Sequence, residues 1–127
     1  MFEVAVEETF SAGHALRGYK GKCENPHGHN YRVRVILRGP ELDSNGLLYD
    51  FKDLKQIIHS TADRLDHQFM NDVPPFDVVN PSAENLARYF YEQSERRLAE
   101  KSPGNGLRVK AVTVWETDTT KATYRKD

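Results

Sequence analysis

Phe2, Val4 and Val6 alternate with Glu3, Ala5 and Glu7 at the start of the chain, which is the period of a half-buried strand. The same period returns where Tyr31, Val33, Val35 and Leu37 alternate with Arg32, Arg34, Ile36 and Arg38, and Gly39-Pro40 ends it. From Phe51 the spacing changes: Phe51, Leu54, Ile58, Ala62 and Leu65 recur at helical intervals with charges between them. Val73-Pro74-Pro75 forces a loop. Asn80-Pro81-Ser82 then reads as a helix start, continued by the stripe Ala83, Leu86, Ala87, Phe90, Ser94 and Leu98. Two strands follow, Leu107 to Glu116 and Ala122 to Arg125, with a turn at Asp118-Thr119-Thr120.

Strands grouped on either side of a helical pair predict an α+β domain spanning 1–127, with two helices on one face of an antiparallel sheet. Such a sheet has two edges that must be covered or paired, which favours oligomerisation by sheet extension. The chain is 127 residues long with 18 basic and 19 acidic residues, a balance that argues against a dedicated nucleic-acid binder. A single cysteine excludes an intrachain disulfide and suits a reducing compartment. Neither a signal peptide nor a membrane-length apolar run is present, so the expectation is a soluble cytoplasmic protein.

The chemistry concentrates in Cys23-Glu24-Asn25-Pro26-His27-Gly28-His29. Residues i and i+2 of a strand share a face, so His27 and His29 can share a metal ion, although the pair alone also suits a polar strand face. A catalytic zinc site takes three protein ligands and keeps an open position. His14, just after the first strand, is the candidate third ligand if a neighbouring antiparallel strand brings it alongside. Cys23 would lie near that metal, which favours the thiolate; it suits a base, a nucleophile or a fourth ligand. Asp66-His67 follows the first helix and offers a carboxylate-oriented imidazole. Glu116, near the end of an apolar strand, suits a two-point contact with an amino-pyrimidine edge. His59 is expected on a solvated helix face. Arg17, Lys20 and Lys22 are candidate partners for a phosphate group.

These pieces resemble, in order and over the whole chain, the 6-pyruvoyl-tetrahydropterin synthase family. The motifs are F-S-A-G-H (10–14), C-E-N-P-H-G-H-N-Y (23–31), Y-D-F-K-D-L-K (49–55), L-D-H (65–67), N-P-S-A-E-N (80–85) and W-E-T (115–117). The resemblance implies the tunnelling fold, a four-stranded antiparallel sheet with two helices on one face. Trimers of it close a barrel, and two trimers stack as a homohexamer. It implies Zn²⁺ held by His14, His27 and His29, a catalytic Cys23, acid-base partners Asp66 and His67, and Glu116 as the pterin anchor. Ser82 and Glu84 fall in the segment that lines the pterin pocket.

Three residues separate Cys23 from His27, as in the QueD branch. That branch converts 7,8-dihydroneopterin triphosphate to 6-carboxytetrahydropterin, acetaldehyde and triphosphate on the path to queuosine. Glu24 matches a related branch that cleaves the dihydroneopterin side chain to 6-hydroxymethyl-7,8-dihydropterin for folate, so Cys23 beside Glu24 leaves a dual or folate-type enzyme open. A 6-pyruvoyl-tetrahydropterin synthase and a catalytically inactive zinc- or pterin-binding homologue are the remaining alternatives.

Overall fold

The computed structural model describes residues 1–21, 24–102 and 104–126. Two long strands, β1 (Phe2–His14) and β2 (His27–Gly39), pair antiparallel along their whole length, with Phe10 opposite Tyr31, Ala12 opposite His29 and His14 opposite His27. Val6, Phe10 and Ala12 on β1, and Tyr31, Val33, Val35 and Leu37 on β2, are buried on one face. Arg32 and Arg34 stand on the other, over the ring of Trp115.

His14 does not follow the first strand but is its last residue. The strand runs on because Phe10, Ala12 and His14 continue the face begun by Val6, and β2 offers a backbone partner at each position.

Helix α1 (Phe51–Ala62) starts at Asp50, whose carboxylate accepts from Lys52 N at 2.7 Å. It buries Leu54, Ile57, Ile58, Thr61 and Ala62. Phe51 departs from the expected stripe: it sits at the first helical position and is 56% exposed, whereas Leu65 is buried beyond the helix end. Helix α2 (Ala83–Lys101) buries Leu86, Ala87, Phe90, Ser94 and Leu98, as the spacing predicts, and also Tyr89 and Tyr91.

Strands β3 (Arg108–Thr117) and β4 (Thr120–Tyr124) complete a sheet of order β1-β2-β3-β4. The last strand begins two residues before the expected Ala122, so the turn shrinks to Asp118-Thr119. α1 packs on β1 and α2 on β3 and β4, both against the same sheet face. Each large apolar side chain buried there is worth about 1.5–3 kcal/mol. Among the described residues, no helix is long and apolar enough to cross a membrane.

The inner sheet face is apolar until its end, where its positions become the buried His14 and the half-buried His27 and His29. There the segment after α1 folds back onto the β1 edge: His67 N donates to Ser11 O at 2.6 Å, Gly13 N donates to Gln68 O at 2.9 Å, and Phe69 bridges to Gly13. The rest of the β1 edge and the outer edge of β4 carry no strand partner among the described residues.

Candidate metal centre and its cleft

The three histidines meet because β1 and β2 are in register and period two keeps i and i+2 on one face. One ring nitrogen of each lies within 4.8 Å of the others. The floor beneath them is Tyr31, fully buried, its ring 5.5 Å from His29 and 5.9 Å from His14 and stacked at 5.1 Å on Phe10.

Hydrogen bonding sets the tautomers. A carbonyl oxygen only accepts, so the Nδ1 atoms facing Pro81 O (from His14, 2.7 Å) and Asn25 O (from His27, 2.7 Å) must carry the protons. In the neutral rings both Nε2 atoms are then lone-pair acceptors, and these two atoms sit 2.9 Å apart. Neither neutral ring can donate to the other, so the pair suits a shared cation. A proton fits poorly: burial pushes His14 below its ordinary pKa, against the opposing pull of the Pro81 carbonyl and the Glu116 carboxylate. Burial also lowers His29, whose buried Nε2 has no hydrogen-bond partner. A divalent ion accepting all three Nε2 lone pairs resolves the repulsion and the orphaned atom together. The carbonyls behind His14 and His27 are the outer-shell partners that metal-bound imidazoles require.

Glu116 reaches the same place from β3. Its Oε1 lies 3.3 Å from His14 Nε2 and 3.8 Å from His29 Nε2. Asp66 and His67 do touch, Oδ2 to Nδ1 at 3.1 Å. The Ser11 backbone N–H, donating to Asp66 Oδ1 at 2.9 Å, holds that carboxyl below its usual range, helped by His67. His67 has φ 59°, rare for a non-glycine residue, and its side chain is 82% exposed. That backbone turns the imidazole outward into a cleft of about 470 Å³, lined by Gly13, Gly28, His29, Asn30, His67 and Phe69. Of the three histidines only His29 lines that cleft, together with His67.

The other expectations resolve unevenly. Cys23 and Lys22 lie outside the described residues. Glu24 is exposed beside them, its backbone N–H donating to Gly21 O at 3.2 Å. Ser82 caps α2, accepting from Asn85 N at 3.1 Å, and Glu84 is exposed in the first helical turn. His59 is exposed as expected, 3.4 Å from Asp63. The exposed Arg17 guanidinium donates to the carbonyls of Phe76 at 2.7 Å, Asn71 at 3.3 Å and Val79 at 3.5 Å.

Sequence reasoning missed Asn71, which exchanges two hydrogen bonds with the Ala15 backbone, and Asn80, which does the same with Arg17. Together they pin the segment after His14. Only their position between prolines and small residues hinted at a loop role. The Pro81 carbonyl behind His14 leaves no side-chain signal at all.

A four-stranded antiparallel sheet backed by two helices defines a tunnelling-fold protein, with three histidines at one end of the inner face that could hold a metal ion. The chain belongs to the 6-pyruvoyl tetrahydropterin synthase family, whose sequence model matches residues 3–127. It is 31% identical over 160 aligned positions to the 6-carboxy-5,6,7,8-tetrahydropterin synthase of Aquifex aeolicus, covering 99% of each chain. The solved 6-pyruvoyl tetrahydropterin synthase of Caenorhabditis elegans superposes with a TM-score of 0.83 at 32% identity, covering 100% of this chain and 98% of that one. A Plasmodium vivax 6-pyruvoyltetrahydropterin synthase, solved as a catalytic-residue mutant with glutamate replaced by cysteine, gives a TM-score of 0.77 at 25% identity, over 99% of this chain and 98% of that one.

Proposed function

We propose that the chain is a zinc-dependent 6-carboxy-5,6,7,8-tetrahydropterin synthase, a lyase that converts 7,8-dihydroneopterin triphosphate to 6-carboxytetrahydropterin, acetaldehyde and triphosphate. The observation that carries the reading is the cluster of His14, His27 and His29, one ring nitrogen of each within 4.8 Å of the others. The name of the Aquifex aeolicus relative supports the same reaction.

Zinc held by His14, His27 and His29 would supply Lewis acidity toward the oxygens of the substrate side chain. The chain's own groups do the rest. Asp66, fixed by the Ser11 N–H, faces His67 Nδ1 and favours the proton there, which leaves His67 Nε2 to take and return a proton at the side-chain carbons. Cys23 serves as the second proton-transfer group. Glu116 accepts the ring N–H and exocyclic amine of the pterin and so fixes where the side chain lies, a proximity contribution. Glu84 borders the ring at the start of α2, the helix that Ser82 caps. The unpaired β1 and β4 edges join between copies, closing a trimeric barrel that stacks as a hexamer in the cytoplasm.

A second reading has its own observation. The Plasmodium vivax protein has a glutamate named as its catalytic residue, and this chain carries Glu24 directly after Cys23. Glu24 acting at the same site would yield 6-hydroxymethyl-7,8-dihydropterin. Product analysis of the zinc-loaded protein with dihydroneopterin triphosphate and with dihydroneopterin, in separate reactions, tests both. Carboxytetrahydropterin and acetaldehyde from the triphosphate alone are expected. Hydroxymethyl-dihydropterin would establish the second reading, and no turnover of either would leave a pterin- or zinc-binding homologue.

A further inference from the structure

The charges of the chain nearly balance, 18 basic against 19 acidic, yet five of the basic side chains line one hollow of about 370 Å³. They are Arg38 at the end of β2, Arg108 and Lys110 at the start of β3, and Arg125 and Lys126 just after β4. Met1 brings the N-terminus to the same rim. No carboxylate lines the hollow among the described residues, which exclude Asp127. Arg38 and His27 stand at opposite ends of β2, about 36 Å apart by the strand rise, so this is not the histidine site. We propose that the hollow is an anion site whose ligand is a polyphosphate group, free or carried on a nucleoside. The proposal does not depend on the pterin reading above.

Three observations carry it. Arg38 and Arg108 stand directly opposite each other across β2 and β3. Like charges so placed are destabilising, and a bound anion would relieve the repulsion. Glu95 answers only one of the two, its Oε1 lying 3.2 Å from Arg108 Nη2. Arg38 is exposed, with no hydrogen bond or ion pair among the described residues. Second, the carboxylates that hold these cations stand outside the hollow. Glu3 takes Lys110 at 2.5 Å and Glu95 takes Arg108, so each steadies its cation and leaves the lining basic. Lys126 Nζ faces the Tyr91 ring, 6.0 Å from its centroid, and meets no carboxylate among the described residues. Third, the floor is fixed: Tyr91 and Val109 are buried, and the Tyr91 hydroxyl donates to Val109 O at 3.2 Å.

A hollow lined by charges of one sign focuses the potential inside it. Arginine forks grip phosphoryl oxygens in pairs, while lysines add point charges. A single carboxylate would leave most of these cations unanswered, whereas a polyphosphate spreads several charges along the hollow. A second hollow, of about 690 Å³, shares Gly106, Arg108 and Lys126 with the first, which leaves room for a nucleoside attached to the phosphates.

The test uses the full zinc-loaded chain and reads each lysine separately. Acetylation rates are followed by mass spectrometry with inorganic tripolyphosphate and, in a second arm, with ATP, at an ionic strength held constant with sodium chloride. At twice its dissociation constant the anion is expected to slow Lys110 and Lys126 about threefold, while Lys52 and Lys55 on α1 keep their rates. Arg38→Ala retains every lysine reporter and is expected to raise the half-protecting concentration at least about tenfold, for the loss of one charge-assisted contact. Arg38→Lys should recover part of that loss. Equal slowing of all the lysines, or of none, overturns the site. So does an Arg38→Ala protein protected like the parent, because the anion then sits elsewhere. ATP binding more tightly than tripolyphosphate supports the site with a nucleotide as its ligand; ATP binding no better supports it with inorganic polyphosphate.

Discussion

Ser82 is expected to act on the helix and not on the substrate, and Ser82→Ala separates the two. Its hydroxyl accepts from Asn85 N at 3.1 Å from a cap residue with φ −73° and ψ 162°. The preceding carbonyl, Pro81 O, accepts the His14 Nδ1–H. Removing Oγ leaves a half-buried N–H unpaired at the first turn of a 19-residue helix, at a cost of about 1 kcal/mol. For a chain of 127 residues that lowers the midpoint by about 4 °C. Ser82→Asp restores a good cap and is expected to recover most of the loss. Melting of the zinc-loaded proteins at one fixed concentration gives the first readout and KM for dihydroneopterin triphosphate the second. A hydroxyl that donated to the pterin would raise KM by about tenfold in Ser82→Ala, without rescue by Asp. An unchanged midpoint in Ser82→Ala, or a KM defect that Ser82→Asp fails to repair, would refute the capping argument.

Two further outcomes follow from the electrostatics. Burial holds His14 and His29 below their ordinary pKa of 6.5, so in the metal-free protein the unfolded chain takes up protons first as pH falls. Stability should therefore decline as pH drops below about 6.5 and show no such contribution above it; urea midpoints across that range check this, and His29→Asn should flatten the decline. Asp66 has the opposite sign. Its carboxyl is held below the ordinary 3.8 by the Ser11 N–H, so the stabilisation is complete above that value and disappears as pH falls through the lowered one. A ¹³C carboxyl titration of Asp66 with a midpoint at or above 3.8 would contradict the hydrogen-bond assignment.

Periodicity made most of the architecture legible. The Tyr31–Leu37 alternation, the α2 stripe and the Ser82 cap all reappear in the structure, because each depends on local rules: side-chain period, propensity and capping. The errors fall where a local rule meets a neighbour. β1 is longer than its clean alternation because β2 pairs it to the end. Phe51 is exposed at the first position of α1, off the packed stripe that starts at Leu54. Arg17, a candidate phosphate partner by position, also donates to three loop carbonyls that no sequence pattern announces.

For the site, the chain itself determined which side chains could hold a metal, and that His27 and His29 share a face, since the strand period fixes both. Register, a property of two strands, decided that His14 stands opposite His27. The fold alone brought Pro81 O behind His14, turned His67 into the cleft that His29 lines, and set Glu116 beside His14 and His29. Residue type and spacing act over a few positions. Tautomer, burial and the meeting of lone pairs arise only when segments dozens of residues apart are packed together.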